Sequence, residues 1–233
     1  MTLSRKLEPE VMDSAEDATQ YNDMDHADVN QQFVDEFLLF LGSQAGFKSR
    51  LDDDTGELIS VLDVGTGTAL IPTMLCDQYS AFKVMAVDMA TSMLELANYN
   101  VQASSLGDRI QLDLADAKDL EYDSEMFDVV MSNSIVHHIH QPEQCVAEML
   151  RVLKPDGAVF VRDLMRPQTM ETLETIVQTY AGEETEYSQQ LFHQSLHAAL
   201  TLDEIQQLVS DCGWNPDGVK ATSDRHWTWA AFA

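Results

Sequence analysis

From Leu58 to Asp163 short apolar runs alternate with segments of helical spacing, and that alternation restricts the chain to few architectures. The runs Leu58 to Val64, Lys83 to Val87, Ile110 to Leu114, Phe127 to Ser132 and Ala158 to Asp163 read as buried strands. Between them, Ala69 to Tyr79, Ser92 to Ser105 and Pro142 to Leu153 read as helices. Strands that alternate with helices need crossover connections, which give a parallel, doubly wound α/β sheet covered on both faces. Helical stretches at Glu171 to Tyr180 and Thr201 to Cys212 precede two more extended pieces, Val219 to Thr222 and Trp227 to Phe232, for seven strands in all. Ahead of the alternation, Asp28 to Gly42 sets Phe33, Phe37, Leu38 and Leu41 on one helical face, and Lys48 to Glu57 is a turn-rich loop. No internal repeat or low-complexity linker divides the chain. Residues 1–45 are expected to form an arm and helix able to act as a lid, and residues 46–233 the main domain.

The chain has the material for one such core: 233 residues, 45% hydrophobic and 23% charged. Its 13 Lys and Arg stand against 40 Asp and Glu, a formal charge of −27 that repels phosphate backbones and argues against bulk nucleic acid as a partner. The simplest reading of that acidity is solubility. No apolar run reaches the length of about eighteen residues that a membrane span needs, and the polar stretch Met1 to Asp17 has no apolar signal core, so a cytoplasmic protein is expected. Cys76, Cys145 and Cys212 are too scattered for a zinc ribbon or redox pair and are expected as reduced thiols in or near the core.

The first chemistry lies at the end of the first strand, in Asp63-Val64-Gly65-Thr66-Gly67-Thr68. Two glycines at a strand-to-helix turn let the backbone bend sharply and let a ligand lie directly on it. The second strand runs into Asp88, 23 positions beyond Gly65 and close to the offset of an acid that binds ribose hydroxyls. Both features suit any adenosine-binding sheet. A dinucleotide fingerprint would want a third glycine or an alanine where Leu70 stands, which disfavours a pyrophosphate. The third strand then ends in Leu114-Ala115-Asp116-Ala117, offering a carboxylate that can accept from an adenine amino group.

With these, Val87-Asp88-Met89-Ala90, Phe127-Asp128-Val129-Val130 with Asn133, and Leu150-Arg151-Val152-Leu153-Lys154-Pro155-Asp156-Gly157 complete a series. In order and spacing it resembles the motifs of class I S-adenosylmethionine (SAM)-dependent methyltransferases, most of all the branch with the ubiquinone and menaquinone methyltransferases. The resemblance covers about residues 58–163 and implies a Rossmann-like, mostly parallel sheet. It departs from the family pattern at Ala69, where many relatives have glycine, and at Asp156, where Pro-Gly-Gly is usual; neither change removes a ligand-contacting side chain.

The resemblance implies roles position by position. Gly65, Thr66 and Gly67 cradle the methionine part of SAM, with Asp63 near its amino group. Asp88 holds the ribose, Met89 covers one adenine face, Asp116 and Ala117 read the adenine edge, and Asn133 or Ser132 lines the floor beneath the sulfonium. The product would be S-adenosylhomocysteine (SAH). Methyl transfer needs mainly in-line alignment in a dry pocket, so a general base is optional. Where one is used, His137 and His138, just after the fourth strand, are the candidates. His140 makes the segment histidine-rich, but similar methyltransferases share such a pair without metal, and no metal is expected.

A small-molecule acceptor is expected at the carboxyl edge of the sheet, where Arg162 or Arg166 could grip an anionic group. The region Tyr187 to Leu200, with His197, is a candidate wall, and Tyr21 with His26 a candidate lid. A non-catalytic SAM-binding sensor and, more weakly, a dinucleotide-dependent oxidoreductase stay open as alternatives, and so does a homodimer.

Overall fold

The computed structural model describes residues 3–11, 13, 18, 19, 22, 27–52 and 56–233; Tyr21 and His26 lie outside them. Seven strands, β1 Ile59–Val64, β2 Phe82–Asp88, β3 Ile110–Leu114, β4 Phe127–Asn133, β5 Leu153–Leu164, β6 Val219–Ala221 and β7 His226–Phe232, form one sheet in the order β3-β2-β1-β4-β5-β7-β6. β1 to β5 pair in parallel, and β7 runs antiparallel between β5 and β6. The helices are α1 Ala27–Gly42, α2 Ala45–Leu51, α3 Leu70–Gln78, α4 Thr91–Ala103, α5 Pro142–Val152, α6 Met170–Ala181, α7 Glu186–Ala198 and α8 Leu202–Asp211. Among the described residues no helix is long and apolar enough to cross a membrane.

Both sheet faces are buried, and the two-residue period of the strands sorts side chains between them. Leu62, Val130 and Val159 pack with Val146 and Met149 of α5 and Ile205 of α8. Their strand neighbours Val61, Val129 and Phe160 pack instead with Phe33 and Phe37 of α1, Leu75 of α3 and Ala97 of α4. The Phe160 ring meets Phe33 and Phe37 edge-on at 5.2 and 5.6 Å. Continuous apolar runs were thus the right signature of a two-sided sheet.

Three elements differ from the sequence expectation. Lys48 to Leu51 is helical, because Gln44 caps α2 by accepting from the Phe47 amide at 3.2 Å and Phe47 is buried. Residues 186–198 form a full helix behind a Thr185 cap, where only a wall without assigned structure was expected. β5 begins at Leu153 rather than Ala158, so Lys154-Pro155-Asp156-Gly157 belongs to the strand. Gly157 is required there, since a Cβ would sit 2.8 Å from the Asp128 carbonyl oxygen and 2.6 Å from the Leu153 side chain.

At the amino edge of the sheet Asp128 gathers Arg50 at 2.9 Å, Lys154 at 2.8 Å and the Ser60 amide and hydroxyl at 2.8 and 2.7 Å. Burial pushes the Asp128 carboxyl up, but these four donors outweigh it and hold the group well below the usual carboxylate range. The opposite, carboxyl edge is the site. The chain order reverses across β1, which has β2 on one side and β4 on the other, so the loops after β1 and β4 diverge and open a crevice.

Candidate functional site

The loop after β1 is built from backbone. The Gly65 and Thr66 amides both donate to the Val87 carbonyl at 2.9 Å, which ties the turn to β2. Gly65 and Gly67 have φ of +74° and +55°, in the left-handed region that glycine enters without steric cost. At Gly65 space forbids a side chain as well: a Cβ would lie 2.3 Å from Ile135 Cδ1. Ala69, which departs from the family pattern, has φ 58° as the N-cap of α3, a conformation glycine would hold at lower cost.

Two acids floor this loop. Asp63, at the end of β1, is 3% exposed, and burial followed by the nearby charge of Asp88 pushes its carboxyl up to about 7. Asp88 is also raised by burial, although backbone amides oppose the shift; its Oδ2 accepts from Gly67 N at 2.8 Å and its Oδ1 from Ala90 N at 2.9 Å. Neither acid forms an ion pair among the described residues. A glycine cradle over uncompensated carboxylates fits a ligand with a cationic end and free hydroxyls.

The same edge continues one strand further out. Met89 is 47% exposed directly after Asp88, an apolar surface at the crevice. Asp116 accepts from the Lys118 amide at 2.9 Å and pairs with Lys118 Nζ at 3.1 Å, while Ala117 is buried. On the other flank Asn133 ends β4, and the buried Ser132 hydroxyl donates to the Val64 carbonyl at 2.8 Å, locking β4 to β1 beneath the loop.

His137 and His138 sit in the turn between β4 and α5, their rings 4.1 Å apart. His137 is 4% exposed, and its Nδ1 lies 2.5 Å from Asp163 Oδ1. Burial works against charge on this ring, but Asp163 and Glu8 outweigh it and raise its pKa; Asp163, pushed up by burial, is pulled below the usual range by His137. His138 is lowered by burial and by His137. Over both runs the segment 3–11, which the Arg5 guanidinium fastens to the Ala198 and Ile139 carbonyls at 2.5 and 3.0 Å. The Glu8 carbonyl accepts from His140 Nε2 at 2.8 Å, and Glu10 pairs with Lys118 at 3.0 Å.

Residues 62–161 match the family described as a methyltransferase domain. Over those residues the chain is similar to methyltransferase domains. It is 33% identical over 128 residues to the methyltransferase GfsG of Streptomyces halstedii, which covers 55% of this chain and 45% of that protein. To the demethylmenaquinone methyltransferase of Lactobacillus johnsonii it is 30% identical over 135 residues, 56% of this chain and 54% of that one. The chain therefore spans about half the length of these curated relatives. In fold it resembles a SAM-dependent methyltransferase from Aquifex aeolicus, with TM-score 0.59 and 15% identity over 94% of this chain and 98% of that one.

Outside the methyltransferase motifs, the cationic candidates are engaged within the fold. Arg162 ion-pairs with Glu36 of α1 and donates to Thr228 at 3.0 Å. Asp163 next to it faces the opposite side of the strand, toward His137, so the two neighbours do not pair. Arg166 reaches Glu204 at 2.5 Å and the Ala199 and Leu3 carbonyls at 2.6 and 3.0 Å. The His197 carbonyl accepts from the Lys6 amide at 3.1 Å, and burial and His193 lower the pKa of its ring.

Three residues of the candidate site escaped the sequence reading. Asp163 enters the sequence reading only as the last residue of the fifth apolar run, although that place at a strand end is a signal for chemistry. Ile135 closes the space over Gly65, and Glu8 arrives from 129 positions before His137; no local pattern announces either.

Proposed function

We propose that this chain transfers a methyl group from SAM to a small-molecule acceptor by in-line displacement. The observation that carries the proposal is Asp63, a buried acid with no cationic partner among the described residues, under a glycine loop and coupled to a second acid at Asp88. Two such carboxylates attract the ammonium and sulfonium of SAM and repel the pyrophosphate of a dinucleotide.

On this reading Asp63 takes the amino group, and Gly65 to Gly67 lie along the methionine part. The free lone pairs of Asp88 accept from the ribose hydroxyls while its bond to Gly67 keeps loop and acid in register. Met89 covers an adenine face, Asp116 and Ala117 read the adenine edge, and Asn133 lines the floor. SAM supplies the electrophilic methyl carbon. The protein holds the acceptor in line with it and keeps water out, and activation of the acceptor falls to His137 and His138 at the adjoining turn. Arg162 and Arg166, tied into the fold, serve the acceptor pocket by shaping its walls.

The test is turnover: incubation of the full chain with SAM and a panel of hydroxyl, amine and acidic-carbon acceptors, read as SAH release. Acceptor-dependent SAH supports the proposal. Tight SAM binding with no turnover on any acceptor would favour a SAM sensor.

A further inference from the structure

Beneath the segment 3–11, one ring nitrogen each of His137 and His138 and a carboxylate oxygen of Glu8 lie within 4.8 Å of one another. We propose that these three groups bind one divalent transition-metal ion, of the zinc or cobalt kind, beside the cofactor cradle.

The first support is the tautomer. With Asp163 Oδ1 2.5 Å from His137 Nδ1, the proton of the neutral ring is held on that nitrogen, and the Nε2 lone pair faces Glu8. A carboxylate that orients a histidine from behind is the usual outer support of a metal-ligating imidazole.

Spacing is the second. Glu8 Oε1 is 3.1 Å from His138 Nδ1 and 3.7 Å from His137 Nε2. Ligands about 2.0–2.2 Å from a tetrahedral ion stand roughly 3.3–3.5 Å apart, so the two distances bracket the edge of such a site.

The third is an unmet need. The Glu8 side chain is 7% exposed, and although the His138 ring nitrogen stands 3.1 Å away, Oε1 accepts no well-aligned hydrogen bond among the described residues. Oε2 accepts from the Ser195 hydroxyl at 3.3 Å, and Arg5 pins the segment, so the acid is held with one oxygen directed at two imidazoles. A cation between them would satisfy that oxygen. Glu8 and Asp163 together outweigh Arg5, so the surroundings accept a dication, and two imidazoles with one carboxylate suit zinc or cobalt better than calcium or magnesium.

Three protein ligands leave a coordination position open. The turn that carries both histidines follows β4 and the glycine loop follows β1, the strand beside it, so the two sites share one edge of the sheet. On the function proposed above, the open position takes an oxygen of the acceptor, which makes hydroxyl, enol or carboxylate compounds the favoured substrate class.

The experiment is calorimetric and optical titration of the chelator-treated full chain with Co²⁺, followed by Zn²⁺. One Co²⁺ per chain is expected, with the visible spectrum of a tetrahedral site and displacement by Zn²⁺. Glu8→Gln and His138→Ala should each weaken binding at least about tenfold, Asp163→Asn by about 10–100-fold, and His226→Ala not at all. SAH titration of the same variants reads the cofactor site separately and shows that they are folded. Absent or substoichiometric Co²⁺ binding, or equal binding by Glu8→Gln and His138→Ala, would overturn the metal site whatever the SAH result.

Discussion

The Gly67 amide donates to Asp88 Oδ2 at 2.8 Å, so the loop after β1 and the acid at the end of β2 are one unit. An Asp88→Asn variant keeps an acceptor for that bond but loses the charge and the second carboxylate oxygen. Hydrogen bonds to charged groups contribute about 1.5–3 kcal/mol, so SAH affinity should fall about 10–100-fold in Asp88→Asn and further in Asp88→Ala. Calorimetry on the two variants checks the order; equal losses would show that the tie to Gly67 is irrelevant.

Gly65 carries two constraints, its φ of +74° and the Ile135 side chain over it. Gly65→Ala should abolish measurable SAH binding. The left-handed conformation alone costs about 1–2 kcal/mol, which lowers Tm by roughly 2–8 °C in a chain of this size. Adding Ile135→Ala removes the clash but not the backbone cost, so the double variant should recover part of the Tm loss and no more. Full recovery would show that the φ carries no cost.

Asp63, pushed up to about 7, gives a pH signature. Between its unfolded pKa of about 4 and that value the folded chain holds a proton that the unfolded chain has released. Stability therefore declines as pH rises through this window and levels off above it. A cationic ligand end prefers the ionised acid, so SAH affinity should rise over the same range, approaching tenfold per pH unit at its acid end. Asp63→Asn should flatten both profiles in paired thermal melts and titrations; an unchanged affinity slope would remove Asp63 from the amino-group role.

Much of this architecture was legible because it rests on local signals. The five apolar runs and the glycine turn fix a parallel sheet and one ligand edge, and Asp88 and Asp116 follow from their places at strand ends. What was not legible depends on distant pairs. Lys154 to Gly157 looks like a loop after a helix, yet Leu153 pairs with Phe127 and Ala158 with Val129, so the four residues between them are an irregularity inside β5. Residues 186–198 are amphipathic enough for a helix, but Tyr187 to Leu200 was weighed for its polar side chains instead. Glu8 reaches the histidine pair only because Arg5 anchors the segment to carbonyls of α7 and the β4–α5 turn.

The Asp128 cluster predicts acid sensitivity at the other edge. Its carboxyl is held low by Arg50, Lys154 and Ser60 against the pull of burial, so its contribution is present above the unfolded pKa of about 4 and is lost as pH falls below it. Asp128→Asn should lower Tm by about 3–12 °C near neutrality, from about 1.5–3 kcal/mol of charged hydrogen bonds in a partly exposed cluster, and by less in acid. Thermal melts across pH read the difference, and a Tm loss independent of pH would contradict it.

The central claim is a cradle built for a cationic adenosyl ligand. Calorimetric titration of the full chain with SAM, SAH and NAD tests it most directly. Micromolar binding of SAM and SAH, with NAD at least about a hundredfold weaker, is the predicted result; tight NAD binding, or no binding of either SAM-type ligand, would contradict it.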